Sequence, residues 1–173
     1  KIITRILVAE AKQAIAHWKP KIVMIAGSVG KTSTKDAVAA VLAKKFRVRK
    51  SEKSFNSEFG VPLTILGCET GWKSPVKWLQ NIFRGLALIV MRSDYPQWLI
   101  VEVGADRPGD IRSIARWLRP DIAVITGVPE IPVHVEYFRS PEQLAHEKRA
   151  LAEYVKSGGK LILNGDDARM VEL

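Results

Sequence analysis

The chain of 173 residues contains one cysteine, Cys68, and three histidines. A single thiol can form neither an internal disulfide nor a thiolate zinc cluster, and it fits a reducing, cytoplasmic setting. Three scattered histidines make no His-rich metal site. Acidic residues are also scarce, 18 against 27 Lys and Arg, which leaves a formal charge of +9. Such a balance attracts anions, whether nucleic acid, anionic lipid or phosphorylated small molecules. The positive residues are spread along the chain, and no RNA-recognition, zinc-finger or basic-zipper pattern accompanies them, so a nucleotide ranks above a nucleic acid. Long apolar runs are missing too. Residues 1–18 are interrupted by Arg5, Glu10, Lys12 and Gln13 and fit neither a secretory leader nor a membrane span. What remains is 47% hydrophobic and 26% charged, the balance of one globular domain. A chain of this size buries about 70% of its unfolded surface on folding.

Apolar residues at Ile3, Leu7, Ala11, Ala14 and Trp18 follow helical spacing, so residues 1–20 read as an amphipathic helix or linker ending at Pro20. The apolar run 22–26 is of the kind expected for a strand buried on both faces. Glycines at 27 and 30 punctuate it, and residues 32–46 carry Val38, Val41, Leu42 and Phe46 on one helical face. Strands are then expected at 98–103, 122–126 and 160–164, with helices at 110–118 and 141–155. Alternation of this kind predicts an α/β fold, a mostly parallel sheet sandwiched by helices. Residues 72–92 break the rhythm. There Val76, Leu79, Ile82, Phe83, Leu86 and Val90 fall on one side of a helix over 75–91, with Lys77, Gln80, Asn81 and Arg84 elsewhere on the wheel. That segment either packs on the domain's own core or makes a peripheral membrane or partner contact.

Three places carry chemistry. Gly27-Ser28-Val29-Gly30-Lys31-Thr32 lies between a predicted strand and a predicted helix. In that context the glycines turn backbone amides toward a phosphate, Lys31 neutralises terminal oxygens and the Thr32 hydroxyl is a Mg²⁺ ligand. The eight-residue phosphate-loop pattern has glycine where Ile25 stands, so the shorter form is present. Glu102 interrupts an apolar strand near its carboxyl end, where a carboxylate must be ion-paired, protonated or metal-bound. In the helix over 141–155, Ser140, Pro141 and Gln143 form a start signal. Its register puts Lys148 on the stripe of Leu144, Leu151 and Val155, either snorkelling to solvent or functional.

Five separated motifs follow one another in an order that resembles the Mur ligase family, and within it the D-alanyl-D-alanine-adding branch, MurF. They are Ala26-Gly27-Ser28-Val29-Gly30-Lys31-Thr32-Ser33; Phe55-Asn56-Ser57-Glu58-Phe59-Gly60-Val61-Pro62-Leu63-Thr64; Glu102-Val103-Gly104-Ala105 with Pro108-Gly109-Asp110-Ile111; His134-Val135-Glu136; and Asn164-Gly165-Asp166-Asp167. The resemblance spans residues 22–167 and implies that 21–173 is part of the family's phosphate-loop central domain, with 72–92 an unusual segment. The family's N-terminal uridine-nucleotide domain and C-terminal domain have no counterpart in this sequence.

The implied activity is ATP-dependent amide-bond formation in peptidoglycan precursor synthesis. ATP phosphorylates a carboxylate of a UDP-MurNAc-peptide, and D-Ala-D-Ala or a similar amine attacks the acyl phosphate. Two Mg²⁺ ions clamp the transferring group. By motif, Gly27 to Ser33 bind the nucleotide, with Lys31 on the γ-phosphate. Thr32 and Glu102 serve the first metal, His134 the second, and Lys148 matches the family lysine that becomes a carbamate. The rival reading is a non-catalytic nucleotide-binding module that docks to a partner or membrane surface.

Overall fold

The computed structural model describes residues 2–52, 55–91, 93–104, 107–127, 147 and 149–166. The chain runs α1 (Ile2–Trp18), β1 (Lys21–Ala26), α2 (Lys31–Leu42), β2 (Val48–Lys50), α3 (Gly60–Leu66), α4 (Pro75–Val90), β3 (Trp98–Glu102), α5 (Asp110–Leu118), β4 (Ile122–Ile125) and β5 (Lys160–Leu163). Residues 149–153 are helical as well. The five strands form one sheet in the order β2-β3-β1-β4-β5, every neighbouring pair parallel. The expected α/β sandwich is therefore present. Because β1 lies between β3 and β4, the chain passes from one side of β1 to the other, and the crevice beyond its carboxyl end is where open sheets of this kind take ligands.

Side chains alternate across the sheet. Ile22, Met24, Ala26, Leu99, Val101, Val103, Ala123 and Ile125 point into a core shared with Leu7, Ala11 and Ala14 of α1 and Ile111, Ile114 and Leu118 of α5. Val23, Ile25, Ile100 and Val124 face the other way, against Ala39, Val38 and Leu42 of α2. Period-two alternation thus assigns Glu102, two residues after Ile100, to the α2 side of β3.

The structure corrects or completes the sequence reading at three places. The helix read over 32–46 ends at Leu42, followed by a turn, and Val41 is 72% exposed rather than on the packed face. Val48–Lys50 and Gly60–Leu66 are regular elements that the periodicity did not reveal. In α4 the packed side holds Asn81 and Gly85, and most of the apolar stripe, Val76, Leu79, Phe83, Leu86 and Val90, points outward, so of the two readings of this segment the one that packs the stripe on the domain's own core does not hold.

The α4 contact with α1 is close at Gly85, where any Cβ would overlap the Glu10 carboxylate. Glu10 is buried there, and its Oε2 has no hydrogen-bond partner. Burial raises its pKa from an ordinary 4.5 to about 7. The folded state therefore binds this proton more tightly than the unfolded chain. Its stabilising effect is complete below about pH 4.5 and is lost as pH rises through about 7, a change of up to about 3 kcal/mol. Glu10→Gln should flatten that part of the stability profile and raise the melting temperature at pH 8, as read by thermal denaturation across pH. An unchanged pH profile would show that Glu10 is not the titrating group.

Candidate nucleotide site

The loop after β1 is shaped by the end of β4. The Thr126 hydroxyl donates to the Val29 carbonyl at 2.6 Å, the Thr126 amide donates to Ala26 O at 3.0 Å, and the Ser28 amide donates to Gly127 O at 3.0 Å. Gly27 has φ 147°, and a Cβ on it would overlap the Thr126 hydroxyl. Only glycine lets the loop pass so close to β4. Gly30 then starts α2 in the left-handed region without any side-chain cap, leaving the first amides of the helix pointing out of the sheet edge. Lys31 is half-buried and folds back over the loop, donating to Ser28 O at 3.3 Å.

At the neighbouring strand end, Glu102 is buried on the α2 side. Its Oε2 accepts from the Thr32 hydroxyl at 3.1 Å and stands 3.5 Å from the Lys35 ammonium. The Glu102 amide donates to the Ser51 hydroxyl at 3.1 Å, which ties β3 to the residue following β2. The structure thus brings together Gly27 to Ser33 and Glu102, two of the predicted constellations. His134, Lys148, the start signal of the 141–155 helix and Asp167 lie outside the described residues.

Two residues were missed by sequence reasoning. Lys35 is only 2% exposed and occupies the inward stripe of α2 together with Ala39. A lysine four residues before a buried alanine was the available signal. Glu147 reaches across to the start of α5, where its carboxylate accepts from the Gly109, Ile111 and Arg112 amides at 2.8, 2.9 and 3.3 Å. It is a side-chain cap borrowed from a distant helix, and no local pattern announces it.

Past the end of β3, a cleft of about 400 Å³ is lined by Gly104, the 56–59 turn, Thr4, Arg107 and Asp110. The Gly104 amide donates to Asn56 O at 2.9 Å, and Ser57 Oγ accepts from the Gly60 amide at 3.3 Å, so the 56–60 turn is fastened to the end of β3. An anion-accepting loop, a buried acid with a hydroxyl beside it, and a cleft reached two residues further along the same strand end suit a nucleotide whose terminal phosphate meets a second substrate.

Residues 80–173 match the family model of the Mur ligase middle domain. The chain belongs to that family. A UDP-N-acetylmuramoyl-tripeptide--D-alanyl-D-alanine ligase of Bacillus subtilis is 29% identical over 157 residues, covering 91% of this chain and 29% of the relative. The enzyme of the same name from Mycobacterium bovis is 34% identical over 165 residues, covering 95% and 27%. This Mur ligase chain therefore spans less than a third of the length of these relatives. Among solved structures, the MurF ligase of Thermotoga maritima in complex with ADP superposes with a TM-score of 0.75 at 24% identity, over 99% of this chain and 34% of that one. MurF of Acinetobacter baumannii gives 0.73 at 19% identity, over 96% and 31%. The fold is that of the central domain in these ligases.

Proposed function

We propose that this Mur ligase chain is the ATP-binding part of an amide-forming ligase of peptidoglycan precursor synthesis. In this reading it activates a carboxylate of a UDP-MurNAc-peptide for attack by the amine of D-Ala-D-Ala or a similar amine. The names of its relatives support that substrate pair, and the ADP complex of the Thermotoga protein supports an adenine nucleotide. The rival of a non-catalytic module is not favoured by this kinship, and the single cysteine supports a cytoplasmic setting.

The observation that carries the proposal is the Thr32–Glu102 contact at the open end of the glycine loop. A hydroxyl and a carboxylate oxygen fit Mg²⁺, which keeps waters and phosphate oxygens as its other ligands. When bound, that ion would neutralise charge on the transferring phosphoryl group. The chain's own residues do the rest. The amides of 28–32 receive phosphate oxygens, and Lys31 exchanges its bond to Ser28 O for one to the nucleotide. The 56–59 turn and Arg107 line the place for the carboxylate substrate. In the same proposal His134 and Lys148 serve a second metal, Lys148 after its neutral amine has added carbon dioxide with release of one proton.

Glu102→Gln and Thr32→Val should each weaken ATP binding about tenfold or more in Mg²⁺, and by less than about twofold in EDTA, as read by calorimetric titration. Equal losses in both conditions would instead make Glu102 a purely structural partner of Lys35.

A further inference from the structure

Helix α4 is amphipathic in an uncommon way: one side is packed and the opposite side is apolar. The packed side lies on α1 through Gly85 and the Trp18 indole, which donates to Leu88 O at 3.0 Å. On the outer side Val76, Leu79, Phe83, Leu86 and Val90 are 64%, 54%, 63%, 46% and 83% exposed. Their spacing of three and four residues keeps them in a straight stripe about 21 Å long at 1.5 Å per residue. Trp72 extends the series by one further step of four and is 81% exposed. It is held outward by a turn in the left-handed region, φ 46°, whose carbonyl accepts from the Trp78 indole at 3.0 Å. The stripe is therefore presented by a fixed scaffold.

The charges on α4 itself have one sign. Lys73, Lys77 and Arg84 are exposed along one flank, and α4 contains no acidic residue. In α1, which lies alongside, the only acid is Glu10, and it is buried beneath Gly85. Asp94 lies beyond the carboxyl end of α4, and Glu69, whose carbonyl accepts from Asn81 at 2.7 Å, shares a cleft with Glu52, Trp72 and Lys77 at the amino end. A second copy packed stripe to stripe would bring the cations of two α4 helices together with no acid on either helix to match them. A bilayer with anionic headgroups accepts both features at once, since the stripe enters the acyl boundary while the lysines and arginine stay at the phosphates. Among the described residues no helix is long and apolar enough to cross a membrane, so α4 would lie in the plane of the interface.

We propose that the outer face of α4, from Trp72 to Val90, is a docking surface for an anionic lipid bilayer. The proposal is independent of the ligase reading. Its test is sedimentation of the protein with vesicles of phosphatidylcholine alone or mixed with phosphatidylglycerol. Binding is expected only to the mixed vesicles and should fall with added salt. Phe83→Ser with Leu86→Ser should weaken it about a hundredfold, and Lys77→Glu with Arg84→Glu about thirtyfold or more. All four residues are exposed, so the variants should keep the wild-type circular dichroism and ATP affinity. Equal binding to both kinds of vesicle would overturn the assignment of an anionic surface. Unchanged binding by the Phe83 and Leu86 variant would overturn the role of the stripe. Concentration-dependent dimers that this variant abolishes, without vesicle binding, would overturn the proposal in favour of a second copy.

Discussion

Replacing Lys31 by alanine is expected to lower Mg-ATP affinity about 30- to 100-fold while leaving the melting temperature nearly unchanged. The side chain is half-buried, and among the described residues its polar contact is with Ser28 O inside its own loop, so the core loses nothing when it is shortened. The nucleotide loses a charge-assisted bond at the place where its negative charge is greatest. Lys31→Arg should recover only part of the affinity, because a planar guanidinium does not fit a contact shaped for a compact ammonium. Isothermal titration with and without Mg²⁺, alongside thermal denaturation, separates these effects. A folded Lys31→Ala protein that binds Mg-ATP as the wild type does would remove the glycine loop from the site.

Much of the fold was legible because the central strands of the sheet, β1, β3 and β4, are buried on both sides. The runs around Ile22–Ala26, Leu99–Val103 and Ile122–Ile125 have no alternative as solvent-exposed strands, and the intervening segments had helical periods. What stayed hidden had no period to show. All seven residues of α3 are buried, so the helix has no polar side, and its proline and β-branched residues argue locally against a helix. The three residues of β2 are too short for alternation to register. In α4 the periodicity was real but did not say which way the stripe faces: Asn81 and Gly85 mark the packed side because α1 approaches closely enough to need a glycine there. Hydrophobicity alone does not tell a core-facing stripe from one waiting for another surface.

The site divides along the same line. Glycines, Lys31 and Thr32 announce themselves by type and spacing, and Glu102 by being an acid in an apolar strand. Lys35 did not, although it decides how Glu102 can be buried before any metal arrives. Thr32 and Lys35 are three residues apart on α2 and so lie on one side of the helix, the side that β3 turns toward with Ile100 and Glu102. The acid is therefore held by two arms of one helix turn, one neutral and one cationic.

Removing the cationic arm should be costly. With both side chains at most 5% exposed, Lys35→Met would leave the Glu102 carboxylate buried with the Thr32 hydroxyl as its remaining partner. Breaking one side of a buried pair costs about 3–5 kcal/mol, because the abandoned charge keeps its desolvation penalty. For a chain of this size each kcal/mol corresponds to about 2–4 °C, so a fall in melting temperature of about 6–20 °C is expected. Glu102→Gln on its own should destabilise less, since the lysine stem reaches toward solvent more easily than a strand-bound carboxylate. Combining Lys35→Met with Glu102→Gln should recover most of the lost stability, because no uncompensated charge then remains. Chemical denaturation of the wild type, both single variants and the double variant measures the coupling directly. Additive losses would mean that the ammonium and carboxylate do not act on each other, and that the 3.5 Å approach is a neighbourly contact without energetic weight.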